Sequence, residues 1–390
     1  MKMNKWTAAL ASAGVLGGVT AQAEESPVMT ALASTTISGY VDVSAHWNLD
    51  RNRGAVPNFG KGEVNKSDGF NLNVVDLTIS KPLDESQWAA GYTAELWFGP
   101  DAVGYNPTAY GDGNESFAVK QAYVELRAPA GNGLDFKVGV FDTIIGYEYA
   151  NNNLNPNYTR SWGWTIEPTQ HTGVLMSYEF NEVLSASAGI ANTFNAGINT
   201  RAHASTVEPK KESDKTVMGA LSVTLPESTG FLEGSTLYVG SVYGFDAGTQ
   251  GISGGNRVNY YAGATFNLPV DGLSLGLAWD YAGAEPSIFG GGAIDGYHQN
   301  VFGVYLSHQT TEKLSLHARG EFAKGNLIYT QTDASEGEIW SAVGTIQYDL
   351  WDNVLSRLEV RYDNAEDGVA SLGWSKRDEV LVALNLIYNF

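Results

Sequence analysis

VLVALNLIYNF, residues 380–390, alternates without interruption. At a period of two, Val380, Val382, Leu384, Leu386, Tyr388 and Phe390 share one face, and Leu381, Ala383, Asn385, Ile387 and Asn389 share the other. That is a strand with an oily, aromatic-tipped side. In a chain of formal charge −20, a water-soluble protein would have to hide this side, whereas a strand against lipid needs it. The reading of this strand therefore decides between a soluble β-sandwich and a membrane barrel.

The same alternation recurs along the chain and predicts sixteen strands. They fall at 35–48, 70–80, 88–98, 117–127, 134–145, 171–180, 183–193, 216–225, 234–245, 257–268, 273–283, 297–309, 313–323, 338–350, 354–363 and 377–390. In SRLEVRY (356–362), Leu358, Val360 and Tyr362 oppose Arg357, Glu359 and Arg361. Even-numbered strands lead into short turns such as KPLDESQ, APAGNG and WDN; odd-numbered ones lead into longer polar segments rich in Gly and Asn. An even strand count, short turns at one end and long loops at the other define the layout of an outer-membrane barrel.

Lipid accepts no open sheet edge and few charges. By parity, the charges within strands gather on the small or polar face: Asp42, Asp76, Glu95, Glu125, Arg127, Asp135, Lys137, Glu179, Asp280, Arg319, Glu321, Asp349, Arg357, Glu359, Arg361 and Asp363. Aromatics near strand ends, among them Trp47, Trp88, Phe98, Trp279, Trp340, Tyr362 and Phe390, suit interfacial girdles. A sandwich of this size would divide into two domains, and no linker breaks the pattern. The expected fold class is all-β: a transmembrane antiparallel up-and-down β-barrel of about 16 strands over residues 35–390, closed by its last strand against ISGYVDVSAHWN (37–48).

The start, MKMNKWTAALASAGVLGGVTAQA, combines Lys2 and Lys5, a short apolar stretch and Ala21-Gln22-Ala23. It reads as a signal peptide, 1–23, followed by a short periplasmic segment at 24–34. The acidic balance argues against nucleic acid as a partner. With no cysteine in the chain, disulfides and thiolate metal sites are excluded.

STTISGYVDVSAHWN, FNLNVVDLTISKPLD, VKQAYVEL, FKVGVFDTIIGYEYANNNLNP and TRSWGWTIEPTQHTGVLMSYEF together resemble the OmpL-like β-barrel porins of Gram-negative bacteria. The likeness is strongest over residues 35–194. It implies a single outer-membrane barrel acting as a channel, with no catalytic residues. Phe390 resembles the aromatic end that such barrels present to the barrel-assembly machinery, which is an expected partner along with outer-membrane lipids.

Other chemistry is weaker. GISGG (251–255) matches a GxSxG elbow in form, but it joins two strands and is not followed by a helix. The six histidines show no metal-binding spacing. GDGNES (111–116) lacks the full pattern of a calcium loop. No cofactor is expected, since diffusion through a fixed pore requires only shape and field.

The most informative segment is GYEYANNNLNPNYTRSWGWTIEPTQ, residues 146–170, which carries Glu148, Arg160 and Glu167. It follows the fifth strand and has the length of a loop that folds inward to narrow a pore. Trp162 and Trp164 would be costly to leave bare. The candidate pore-lining residues are Asp42, Asp76, Glu95, Glu125, Arg127, Lys137, Arg319, Glu321, Arg357, Glu359 and Arg361. Acidic groups outnumber basic ones on the inner face, which favours cations. The leading expectation is a non-enzymatic porin for small hydrophilic solutes, of the size that often forms trimers. The alternatives are a structural or adhesive barrel plugged by its own loops, and a hydrolase at the barrel rim.

Overall fold

The computed structural model describes residues 34–49, 66, 68–84, 86–103, 105, 116–192, 194, 198, 215–245, 252–253, 255–289, 292–294, 296–326, 336–365 and 378–390. The expected signal peptide at 1–23 and most of 49–69, 106–115 and 194–215, including most of the GDGNES loop, lie outside the described residues. Within the described residues the strands are β1 (Thr36–Asn48), β2 (Gly69–Lys81), β3 (Ala90–Phe98), β4 (Phe117–Ala128), β5 (Leu134–Asp142), β6 (Gln170–Glu179), β7 (Leu184–Ala191), β8 (Thr216–Thr224), β9 (Thr236–Gly244), β10 (Ile252–Ser253), β11 (Arg257–Asn267), β12 (Leu273–Ala284), β13 (Ser287–Phe289), β14 (Gly292–Ile294), β15 (Tyr297–Gln309), β16 (Leu314–Gly325), β17 (Gly337–Trp351), β18 (Val354–Ala365) and β19 (Asp378–Asn389).

Sixteen of these close into one antiparallel barrel, each pairing with the next barrel strand along the chain (β9 with β11 and β12 with β15 across the three short strands) and β19 pairing with β1. At the seam Tyr40 faces Asn389 and Asn48 faces Leu381. The Gly39 N–H donates to the Phe390 carbonyl and the Phe390 N–H to the Gly39 carbonyl, each at 3.0 Å. All sixteen expected strands are present, with ends moved by a few residues. The segments read as plain loops near 246–256 and 284–296 contain β10, β13 and β14, which form a separate three-stranded sheet. Strand β5 stops at Asp142 and not at 145, because the Thr143 N–H turns to the Thr169 carbonyl at 2.9 Å, closing the base of an inward segment.

The barrel is inside-out relative to a soluble protein. Leu358, Val360, Leu384 and Leu386 are exposed on the outer face, whereas Asp42, Glu359 and Arg361 on the inner face are sealed. An exposed apolar belt above a charged interior is stable only where lipid replaces water outside. Besides a register shift at Asp349/Trp351 in β17, two bulges adjust the parity. Asn73 is the extra residue opposite the Asp42/Val43 step, and Lys120 the extra residue opposite the Glu95/Leu96 step. Each bulge turns an additional polar side chain inward, and both residues are fully buried.

Candidate pore and inward segment

Residues 143–169 fold across the barrel. The Ser161 hydroxyl accepts from the Trp164 N–H at 3.0 Å and caps a short helix, α1 (Trp162–Ile166). Gly163 allows α1 to lie directly on β12: an added Cβ would stand 2.5 Å from Asp280 Oδ2. Gly146 similarly makes room for the Glu167 carboxylate, which a Cβ there would strike at 1.8 Å. Glycine at 146 is needed twice over, since its φ is +103°.

One side of the segment is held by charge. Arg319 donates to Glu148 at 2.8 Å and to the carbonyls of Thr159 (2.7 Å) and Arg160 (2.9 Å), and pairs with Glu321 at 2.9 Å. Glu321 accepts from the Trp162 N–H at 2.7 Å. Glu359 accepts from the N–H groups of Tyr158 (2.6 Å) and Thr159 (2.9 Å). Arg361 donates to Asp363 and to the Arg160 carbonyl, while the Trp162 indole N–H donates to Asp363 at 2.9 Å. Arg357 donates to the carbonyls of Asn152 and Asn155.

The anchoring continues past the seam. Asp42 accepts from Asn73 (2.7 Å), Asn152 (2.7 Å) and Asn385 (2.5 Å). Glu95 accepts from Gln121 and Asn151, each at 2.7 Å, and Trp97 donates to both Asp76 (2.9 Å) and Glu95 (3.1 Å). Lys120 bonds Asp142 and the Asn151 carboxamide. Arg160 stays within the segment, donating to the Ala150 carbonyl at 2.6 Å and lying 5.4 Å from the Trp164 ring. A buried ion pair needs its remaining hydrogen bonds satisfied to offset desolvation, and here backbone groups of the segment supply them.

The other side is held by shape. Ile145 belongs to a buried apolar cluster with Phe141, Leu175, Ala191, Phe194, Met218, Ala220, Tyr238, Val242, Tyr261 and Tyr305, and Tyr147 packs against that cluster. Tyr147 stacks on Tyr305 with centroids 4.0 Å apart. Asn259 donates to the Ile166 carbonyl at 2.8 Å.

The structure thus brings Asp42, Asp76, Glu95, Arg319, Glu321, Arg357, Glu359 and Arg361 together on the inner wall, beneath the segment that carries Glu148, Arg160 and Glu167. Glu125, Arg127 and Lys137 lie apart on β4 and β5, in the pairs Lys137–Glu125 (3.6 Å) and Arg127–Asp135 (2.7 Å). The sequence reading missed Lys120, Asn73, Asn151 and Asn152. The two bulge residues break strand parity, and the two loop asparagines carry no pattern that distinguishes them from their neighbours. A second inward piece, Pro100–Ala102 with Tyr105, buries Asp101 against Lys66 at 2.5 Å. Among the described residues no cluster of His and carboxylates suited to a metal occurs, and Ser253 sits in β10, paired with Ile288.

A closed sixteen-stranded barrel with an apolar outer belt and a segment folded across its lumen defines the class of outer-membrane porins. The chain matches the family described as "Putative beta-barrel porin-2, OmpL-like" over residues 34–390, and it belongs to that family. No curated protein matches it. Among solved structures it is similar in fold to the anion-selective porin from Comamonas acidovorans, with 12% identity, TM-score 0.59 and coverage of 92% of this chain and 99% of that one. OmpT of Vibrio cholerae in its trimer form gives 11%, 0.56, 91% and 99%. The outer membrane channel DcaP of Acinetobacter baumannii gives 13%, 0.57, 91% and 97%.

Proposed function

We propose that this porin is a diffusion pore for small hydrophilic solutes, exported with residues 1–23 removed, in which segment 146–170 sets the narrowest passage. The observation that carries the reading is the fixed course of that segment across the lumen, from Asp42 on β1 to Asn259 on β11. Those strands lie nearly opposite each other in the ring. A modest preference for cations follows from the acidic excess of the inner wall. Permeation then needs no cofactor and no chemical step. Assembly as a homotrimer is part of the same proposal, supported by the trimer form of OmpT from Vibrio cholerae.

The test is current through planar bilayers under unequal salt. Discrete open steps with a cation-directed reversal potential are expected, and Asp42→Asn, Asp76→Asn and Glu95→Gln together should lower the cation-to-anion permeability ratio. An unchanged reversal potential in the triple variant would sink the selectivity claim. A second reading, a barrel plugged by its own segment, draws support from the burial of Asp42, Glu359 and Arg361. Folded protein that carries no current would favour it.

A further inference from the structure

We infer that solutes pass along the inner face of β6–β9, not through the charged ring, and that Ile145 seated on Gly240 is an apolar gate on that path. The inference rests on the pore reading above and names the residues that limit flux; Asp42, Asp76 and Glu95 then bias selectivity through their field across the lumen and do not line the path.

The segment lies between two unlike walls. Toward β16–β19 and β1–β4 it is held by sealed charges, and parting any of these pairs would strand a buried ion. Toward β6–β9 the central inward positions are Gly173, Leu175, Ser187, Gly189, Ala191, Met218, Ala220, Tyr238, Gly240 and Val242, with no carboxylate, lysine or arginine among them. What joins the segment to this wall is apolar contact together with neutral hydrogen bonds, the Tyr238 hydroxyl donating to the Ile144 carbonyl and His171 bonding the Thr143 hydroxyl at 3.2 Å, so that opening it separates no ion pair. The second seam is therefore the one that yields first.

Its geometry is that of fitted seats. A Cβ on Gly240 would stand 2.8 Å from Ile145 Cγ2, and, beyond this wall on β12, one on Gly276 would stand 1.9 Å from the Tyr147 hydroxyl. Each glycine leaves the space that one side chain of the segment occupies. Ile145 is 1% exposed and Val242 is sealed behind it. On β7, by contrast, Ser185, Ser187 and Gly189 are half-buried, and burial becomes complete only at Ala191. Along β7 water thus reaches up from the short-turn end and stops at the apolar contact, whereas Ser222, Thr236 and Tyr238 on β8 and β9 are buried. A narrow apolar constriction resists wetting and so excludes ions until it widens, which makes Ile145 the residue that sets flux.

The chain contains no cysteine, so single-cysteine variants report cleanly. Ser187→Cys and Thr345→Cys would be exposed to a charged methanethiosulfonate during bilayer recording, alongside Ile145→Ser and Gly240→Ala. Each is first checked for folding by its heat-modifiable gel mobility. The inference expects loss of most current on modifying Ser187→Cys, no change with Thr345→Cys, and a several-fold higher conductance in Ile145→Ser. Gly240→Ala, whose added Cβ would press on the Ile145 side chain, should raise conductance in the same direction. Block at Thr345→Cys without block at Ser187→Cys, or unchanged conductance in both gate variants, overturns it while leaving the pore intact. If folded wild type and Ile145→Ser are both silent, the pore reading itself falls and this inference with it.

Discussion

Arg319 on β16 and Glu148 in the inward segment lie 2.8 Å apart, 171 positions apart in sequence, with both side chains sealed from solvent. The same guanidinium also holds Glu321 and two backbone carbonyls of the segment, so it is the point at which loop and wall become one unit. Arg319→Ala leaves two buried carboxylates unpaired, and the expected cost is about 3–5 kcal/mol. Urea unfolding of the barrel in detergent, followed by gel mobility, measures it. Arg319→Lys should recover only part of this, because an ammonium cannot reproduce the forked geometry.

Lys120 offers a second test of the same principle at a bulge. Its ammonium binds Asp142 and stands 3.7 Å from Glu95. Lys120→Met is expected to destabilise by roughly 3–5 kcal/mol, since a buried pair loses one partner. The double variant Lys120→Met, Asp142→Asn should be less damaged than the sum of its parts, and a double-mutant cycle reads the coupling directly. Strict additivity would mean that the pair does not act as one.

On the outer face the expectation is set by lipid. Leu384 is 48% exposed near the middle of β19. Leu384→Arg should cost about 2–4 kcal/mol of folding into vesicles, as for a cation at the bilayer midplane. At an ordinary water-facing position the same change would be nearly neutral.

The Asp101 segment predicts a pH dependence. Burial pushes the Asp101 carboxyl up to about 6, Lys66 pulls it back, and Asp42 and Arg160 add smaller opposed effects. Burial lowers Lys66 itself, with Asp101 opposing that shift. A raised carboxyl means that the packed segment takes up a proton the released segment gives away. Its contribution to packing is thus complete below the ordinary aspartate value of 3.8 and is lost as pH rises through about 6. Hydrogen exchange across 100–103, corrected for intrinsic rates, should show more opening at pH 7 than at pH 5. Asp101→Asn should flatten the difference.

How far the sequence reaches can be judged from particular residues. The alternation in SRLEVRY put Arg357, Glu359 and Arg361 on the inner face, and they are there, because a two-residue period survives any twist of a regular strand. The same rule fails at Lys120 and Asn73, where an added residue flips parity and nothing in local composition announces it. The partners of the inner charges were also beyond pattern reading. That Glu359 would receive the backbone of Tyr158 and Thr159 depends on which strands face one another across the lumen. Alternation speaks only to sides of a strand and says nothing about distance across a barrel. The seats at Gly240 and Gly276 were illegible for a related reason: a glycine in a strand reads as weakness until the side chain that fills its place is known.

The β1–β19 seam has a kinetic consequence. Each of the other pairings in the ring joins strands adjacent in the barrel's chain order, while the seam joins residues such as Tyr40 and Asn389, nearly the whole chain apart. Hairpins can zip in succession soon after they appear, but this one closure must wait for the far strand and pay the entropy of the longest loop in the molecule. Until then, two ladders of N–H and C=O groups remain unpaired in a medium that cannot satisfy them. The interval of greatest hazard in the protein's life is therefore short of a single step, and one strand pair sets how long it lasts.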